Sequence, residues 1–333
     1  MRRRKFLVTG GTGFIGSALV LRLVKEGHFV RVLDNDLRGV RKRLEPVSGE
    51  IEMISGDIRD RSVVSEALTG IEMVCHLAYL NGTEFFYEKP ELILDIGVKG
   101  MVNVIDGCIE RRVKELVLAS SSEVYQTPPV VPTSETVPLS VPDPLNPRYS
   151  YGGGKIICEL MAINYGRKHF DRVLIFRPHN VYGPDMGWEH VIPQMTVRIK
   201  KICDASAQGT IECPIQGTGK ETRAFVFIDD FIEGLMLVLE KGEHLGIYHI
   251  GTMDEVPMSR LAGAIARVFG REVRVVPGKA PAGATPRRCP DISKLRKLGF
   301  SPQVSLEEGL KTTVSWYVDN LADMPAHRIR GGL

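Results

Sequence analysis

Thr9-Gly10-Gly11-Thr12-Gly13-Phe14-Ile15-Gly16 decides the fold of this 333-residue chain. The apolar run Lys5 to Thr9 leads into it and reads as a strand, and apolar residues at helical spacing follow from Phe14 to Lys25. Gly11 to Gly16 thus places G-x-G-x-x-G between a strand and a helix. That context makes an otherwise weak match strong. One glycine permits the tight turn, another lets the backbone approach a pyrophosphate, and the last lets the helix pack close to the sheet. The helix N-terminus adds unpaired N–H groups and the positive end of its dipole. Asp34 ends a second apolar strand, Phe29 to Leu33, about twenty residues on. A carboxylate there accepts hydrogen bonds from the adenosine ribose and repels a 2′-phosphate, which favours NAD over NADP. Arg38 and Arg41 follow shortly and pull the other way.

The same rhythm continues outward. Ile51 to Ser55, Met73 to Leu77, Glu115 to Ala119 and Arg172 to Phe176 read as strands, and the runs between them, notably Pro90 to Arg111, fit helices. The fold class is α/β: a Rossmann doubly wound parallel sheet with a smaller mixed α/β C-terminal substrate domain. The cofactor domain is expected over 1–178, with segments around 224–250 returning to it, and the substrate domain over 179–333. Seven prolines in 126–148 mark a long surface loop before a helix from Tyr149 to Lys168. Beyond Pro178, Glu189 to Lys201, Asp229 to Glu240, Ser259 to Phe269 and Ser305 to Asn320 read as helices. Ile211 to Ile215, Ala224 to Ile228 and Tyr248 to Ile250 read as strands.

Composition narrows the function classes. Hydrophobic residues at 43% suffice for a large core, and a net charge of +3 with no basic stripe argues against a nucleic-acid partner. No apolar stretch reaches the roughly 18–20 residues a membrane span needs. Six scattered cysteines without a C-x-x-C pair suggest a reducing, cytoplasmic setting and no cysteine-based metal site.

Tyr151 and Lys155 stand four apart at the start of a helix and share one face. An ammonium there, together with a nicotinamide cation, is expected to lower the phenol pKa so that a tyrosinate takes a proton from a sugar hydroxyl. Y-x-x-x-K recurs by chance on many helices. Here it gains force by following Ser120-Ser121-Ser122-Glu123 at the end of a strand. Asp57, in Gly56-Asp57-Ile58, closes the third strand as either a turn carboxylate or a contact to the adenine edge.

The chain resembles the extended short-chain dehydrogenases that act on nucleotide sugars, the NAD-dependent epimerase/dehydratase group. The resemblance rests on Thr9 to Gly16, Gly56-Asp57-Ile58, His76-Leu77-Ala78, Ser120 to Tyr125 and Tyr151 with Lys155. It continues through Arg177-Pro178-His179-Asn180-Val181-Tyr182-Gly183-Pro184, Thr222-Arg223-Ala224-Phe225 and Arg287-Arg288-Cys289-Pro290-Asp291-Ile292. It implies Tyr151 as base, Lys155 on the nicotinamide ribose and Ser121 on the reacting sugar hydroxyl. Ser122 and Asn180 would contact substrate, and Arg223 and Arg288 would clamp its diphosphate. Cofactor contacts are implied for Gly10, Gly13, Phe14, Ile15, Gly16, Asp34, Asn35, Asp57, Ile58, Leu77, Ala78, Lys155 and Pro178. A homodimer paired through helices around 90–111 and 149–169 is implied as well.

Glu123 carries the choice of reaction. Many simple 4-epimerases of the group have no acid there, dehydratases have Asp-Glu, and a Ser-Glu pair resembles nucleotide-sugar decarboxylases and GDP-mannose-type dehydratases. The leading expectation is epimerisation through transient C4 oxidation. Elimination of water or CO₂ with Glu123 as acid/base is the alternative, and a non-catalytic NAD-binding protein the minor one. Three departures stand out. Gly152-Gly153-Gly154 suggests close approach by substrate or by a packed element. Gly97 replaces the usual asparagine, so a proton-relay water would be held differently. Tyr79 replaces a small residue and is expected to crowd the nicotinamide side. Loops around 186–215 and 278–290 are expected to recognise the base, with Glu189, His190 and Gln194 either lining that region or facing solvent. The segment Asn81 to Tyr87 either faces the sugar or is an ordinary helix-entry loop.

Overall fold

The computed structural model describes residues 3–206, 209–279 and 285–325. Seven parallel strands form its central sheet, in the order Gly246–Ile250, Arg172–Pro178, Glu115–Ala119, Met73–His76, Lys5–Thr9, Phe29–Asp34, Ile51–Ser55. The first six in sequence are β1 to β6 in chain order. The chain builds outward from β1 through β2 to β3, then returns to lay β4, β5 and β6 on β1's other side. The carboxyl ends of β1 and β4 therefore flank the crevice where the strand order reverses, the place where open α/β sheets bind ligands.

Buried β1 residues Phe6, Leu7 and Val8 show why the sheet is parallel: helices cover both of its faces. One core layer contains Leu19, Val20 and Leu23 of the helix Phe14–Lys25 with Phe231, Leu235 and Val238 of the helix Ile228–Lys241. The opposite layer contains Val64, Val104, Ile105, Cys158 and Ala162. All six cysteines are free thiols.

Two elements depart from the sequence reading. The expected helix Pro90 to Arg111 is interrupted: a π-turn, Asp95–Lys99, joins Pro90–Leu94 to Gly100–Arg111. The extra residue in the turn falls where Gly97 packs against Tyr79. The expected strand Ala224 to Ile228 is split by partners on two sides. Thr222–Ala224 pairs with Glu255–Pro257 and Arg287–Arg288, Val226–Phe227 pairs with Val181–Tyr182, and the next helix begins at Ile228. Beside these lie a two-stranded pair, Ile211–Ile215 with Val273–Pro277, and the helices Val191–Ala205, Met258–Val268 and Leu306–Asp319. Ser305 opens the last helix in a capping box with Glu308. Among the described residues no helix is long and apolar enough to cross a membrane.

Candidate active site

The cleft begins at the glycine loop. Gly10 adopts φ +73°, and a Cβ there would lie 2.7 Å from the Ala78 nitrogen, so only glycine makes this turn against the end of β4. Gly13 caps the following helix with no side-chain hydrogen bond, which leaves its first N–H groups for an anion. Asp34 holds the loop in shape: its Oδ2 accepts from Thr12 N at 3.0 Å and its Oδ1 from Asp36 N at 2.9 Å. Asn35 Nδ2 donates to Asp57 Oδ2 at 2.9 Å, and the side-chain hydrogen bonds from Arg59 hold the Asp57 carboxyl below its ordinary range. Gly10, Gly13, Asp34, Asn35, Asp57, Ile58, Leu77, Ala78 and Tyr79 line one groove. It shares Gly10, Gly13, Leu77 and Tyr79 with a cavity of about 430 Å³ that also contains Phe14, Ile15, Gly16, Ser121, Ser122, Glu123, Tyr151, Lys155, Pro178 and Arg288. Arg41 is engaged by Asp36, and Arg38 by Glu189 and the Asn81 carbonyl.

The candidate catalytic groups meet where β5 ends against the helix Ser150–His169. Ser121 caps the short 3₁₀ turn Ser122–Tyr125, its Oγ accepting from Glu123 N at 3.1 Å. Tyr151 and Lys155 are buried on the helix face turned toward that turn, and Ser121 hydrogen-bonds Tyr151. Lys155 Nζ donates to the Ala119 carbonyl at 2.7 Å. Burial pulls the Lys155 ammonium down to about 8. It pushes the Tyr151 phenol up from its usual value, against the Ser121 hydrogen bond. In the protein by itself the expected lowering of Tyr151 does not occur. The ammonium lies 5.9 Å from the phenol ring centroid, and desolvation dominates.

Glu123 faces the same cavity and accepts from Arg288 Nη1 at 2.5 Å. Burial works to raise its carboxyl, but Arg288, Arg148 and Arg223 overcome that and hold it below the usual range. Arg223 donates to the carbonyls of Thr222 and Thr285 at 2.7 and 2.8 Å, and burial pulls its guanidinium down to about 10. Arg223 lines an adjoining cavity of about 280 Å³ with Asn180 and Gln194. Asn180 borders both cavities, and its Nδ2 donates to the Ala224 carbonyl at 3.0 Å. The glycine run Gly152–Gly154 admits packed elements. A Cβ at Gly152 would lie 2.8 Å from the Glu123 carbonyl oxygen, and one at Gly154 2.2 Å from the Tyr79 hydroxyl.

Several lining groups carried little or no sequence signal. Arg43 donates to the Thr12 carbonyl at 2.9 Å and grips the Asp185 side chain at 2.7 and 2.9 Å. With Arg38 and Glu189 it straps the glycine-loop side of the cleft to 185–189. Nothing in the spacing of Arg43 and Asp185, 142 residues apart, announces the pair. Phe86 stacks on Tyr151 at 5.2 Å. Glu189, His190, Asn81 and Gly82 line the main cavity. Residues 207–208 and 280–284 of the expected base-recognition loops, and the side chains of Thr83 and Glu84, lie outside the described residues.

Comparison with known proteins gives this geometry a family. The pattern defining the NAD dependent epimerase/dehydratase family matches residues 6–251. A UDP-N-acetyl-alpha-D-glucosaminuronate decarboxylase of Bacillus cytotoxicus is 32% identical over 95% of this chain and 98% of its own length. A putative UDP-glucose 4-epimerase of Methanocaldococcus jannaschii is 31% identical over 94% of this chain and 98% of its own. A dTDP-glucose 4,6-dehydratase from Streptomyces venezuelae, solved with NAD bound, superimposes with a TM-score of 0.83 at 31% identity, covering 96% of this chain and 98% of that one. The three relatives are named for three different reactions of one kind of site. The chain belongs to the NAD dependent epimerase/dehydratase family and is an NAD-dependent enzyme.

Proposed function

We propose that the enzyme epimerises a nucleotide-linked hexose at C4, oxidising that carbon and reducing it again from the other face. One observation carries the reading: Ser121, Tyr151 and Lys155 converge at one end of a continuous cleft whose other end is the Gly10–Gly16 loop and Asp34. The left-handed Gly10 turn and the uncapped helix N-terminus fit a dinucleotide pyrophosphate, Asp34 and Asn35 fit the adenosine ribose, and Lys155 fits the nicotinamide ribose. Bound there, NAD supplies the acceptor and later the donor of the C4 hydride. Ser121 orients the C4 hydroxyl, and Tyr151 receives its proton as the carbonyl forms and gives it back on reduction. The cation brought by the cofactor opposes the burial that keeps the phenol protonated. Asn180, Arg223 and Arg288 hold the substrate diphosphate, and the matching of guanidinium forks to phosphate oxygens supports that role.

Glu123 orders the alternatives. Held as a carboxylate by Arg288, it has no proton to donate to a leaving hydroxyl, and Ser122 stands where the dehydratase aspartate would be. Loss of water is therefore the weaker reading. Loss of CO₂ from a 4-keto uronate needs no proton donor at the bond-breaking step, so a carboxylate at Glu123 is compatible with it. Decarboxylation is the second reading for that reason.

The test is purified protein, without added cofactor, against UDP-, GDP-, CDP- and dTDP-hexoses and UDP-glucuronate, products being resolved by NMR. A C4 stereoisomer that disappears in Tyr151→Phe supports epimerisation. CO₂ release from the uronate, lost in Glu123→Gln, supports the second reading. No turnover together with no NAD released on denaturation refutes both. We also infer a homodimer. Val102 on Gly100–Arg111, and Ile157, Leu160 and Tyr165 on Ser150–His169, are exposed apolar groups on the two helices the family resemblance points to. Light scattering that gives a single-chain mass overturns it. The six free thiols suit a cytoplasmic setting.

A further inference from the structure

Tyr79 occupies a slot cut by two glycines on two different helical segments. A Cβ at Gly97, in the π-turn Asp95–Lys99, would lie 2.3 Å from Tyr79 Cζ, and one at Gly154 would lie 2.2 Å from its hydroxyl oxygen. Side chains at either position would evict the ring. The slot brings the ring face to the one cation of the Tyr151 helix that the mechanism uses: Lys155 Nζ lies 3.9 Å from the Tyr79 ring centroid. Tyr79 also meets Tyr151 edge-on at 5.2 Å and 85°.

The lysine's donors explain the arrangement. An ammonium has three N–H groups. One is given to the Ala119 carbonyl at 2.7 Å, and the Tyr79 face covers a second side. The remaining direction is the cleft that Lys155 lines. The other titratable groups around it are Tyr151, Cys158 and Glu159 on its own helix and His76 at the end of β4. Glu159 is occupied by Arg177 and Ser120. His76 is kept neutral by burial, which pulls it down to about 3. The Tyr79 hydroxyl is buried with no hydrogen-bond partner among the described residues, so the ring makes the useful contact.

We propose that Tyr79 is a positioning residue for Lys155: its ring face keeps the ammonium charged and turned toward the cleft, and Gly97 and Gly154 are glycine because they admit that ring. A cation over an aromatic face is favoured electrostatically by the ring quadrupole. Replacing the ring with leucine removes that attraction; it also leaves the hydroxyl end of the slot beside Gly97 and Gly154 unfilled, and water entering there would raise the lysine midpoint, opposite to the shift expected from losing the ring. The role assigned to Lys155 rests on the function proposed above, but its titration can be read without turnover.

The experiment is competitive reductive methylation of Lys155 across pH in the cofactor-free protein, read by peptide mass spectrometry, for wild type, Tyr79→Leu, Tyr79→Phe and Gly97→Asn. Where a substrate is in hand, the pH profile of kcat is read beside it. Tyr79→Leu and Gly97→Asn should each move the Lys155 midpoint down by about one pH unit, and the alkaline limb of kcat with it. Tyr79→Phe, which deletes only the unpaired hydroxyl, should leave the midpoint in place. An unmoved midpoint in Tyr79→Leu overturns the proposal, as does a Tyr79→Phe shift as large as that of Tyr79→Leu. A shifted midpoint with no nucleotide sugar turned over overturns the proposed function and leaves this inference standing.

Discussion

Glu159→Gln should cost the protein a large share of its stability while barely changing its shape. Glu159 and Arg177 are an ion pair with both side chains 2% exposed. Arg177 Nε donates to Oε1 at 2.8 Å and Nη2 to Oε2 at 2.6 Å, the fork-to-carboxylate match. Nη1 is engaged by the Glu135 carbonyl at 3.1 Å and by the Tyr125 hydroxyl, and Ser120 donates to Glu159. The pair joins the helix carrying Tyr151 and Lys155 to β6, the turn after β5 and the proline-rich loop. A glutamine leaves the guanidinium uncompensated where water does not reach, which costs about 3–5 kcal/mol. With a guanidinium m-value of about 5 kcal/mol/M, the unfolding midpoint drops by roughly 0.8 M. The assay is equilibrium unfolding followed by tryptophan fluorescence, with m compared between variants. Glu159→Leu with Arg177→Met removes both charges and should recover at least half of the loss, because an apolar pair has no charge to desolvate. A Glu159→Gln midpoint within about 0.2 M of wild type at unchanged m would refute the reasoning.

Acid should weaken the fold early. Burial pulls His76 and His249 down to about 3, so between pH 6.5 and about 3 the unfolded chain binds protons that the native protein does not. Stability is thus full above pH 6.5 and falls by about 1.4 kcal/mol per pH unit per histidine below it, close to 4 kcal/mol for the two at pH 5. A urea midpoint that stays flat from pH 6.5 to 5 contradicts this. Arg43→Ala removes the strap to Asp185 and Thr12 and should speed NADH release about fivefold or more in stopped-flow fluorescence; an unchanged rate counts against the strap. Gly16→Ala would place a Cβ 2.1 Å from the Gly10 carbonyl oxygen, a backbone atom that cannot swing away. The purified variant should carry no NAD, and full occupancy would be inconsistent with the loop geometry. Arg288→Leu removes the strongest of the charges that oppose burial at Glu123, so its carboxyl rises and activity that needs the carboxylate is lost as pH falls through the higher value. The acid limb of kcat/KM should move up, and an unmoved limb would separate Glu123 from the rate.

The parts of the fold legible in the sequence were those with local causes. The glycine loop, β1 to β6 and the Tyr151 helix are each written in a contiguous run of spacing and turn chemistry. Partners far apart in the chain left no such trace. Arg43 and Asp185 meet across 142 residues and Glu123 and Arg288 across 165, and neither pair has a periodicity to betray it. Gly97 and the Gly152–Gly154 run were visible as anomalies. What fills the space beside them depends on Tyr79 and on the Glu123–Gln126 turn, which only the packing brings there. The phenol pKa went the other way because a helical Y-x-x-x-K pattern gives direction and spacing but not burial.

Charge at the sugar end of the cleft bears on the two readings proposed for the reaction. Of the three guanidiniums that act on Glu123, Arg288 is already matched by it. Arg148 and Arg223 form no ion pair with a carboxylate among the described residues, and burial penalises Arg223 enough to pull it down to about 10. Two uncompensated cations call for two negative charges. A nucleotide diphosphate brings two, and with them the site is balanced while Arg288 keeps Glu123 through Nη1 and has Nε left to offer a phosphate oxygen. A uronate brings a third. Its carboxylate would have to take Arg288 from Glu123, exposing a buried carboxylate to a like charge at the moment of binding. A neutral hexose makes no such demand. That charge balance is the support for the proposed epimerisation of a neutral hexose over the second reading, and CO₂ release from UDP-glucuronate at a comparable rate would overturn it.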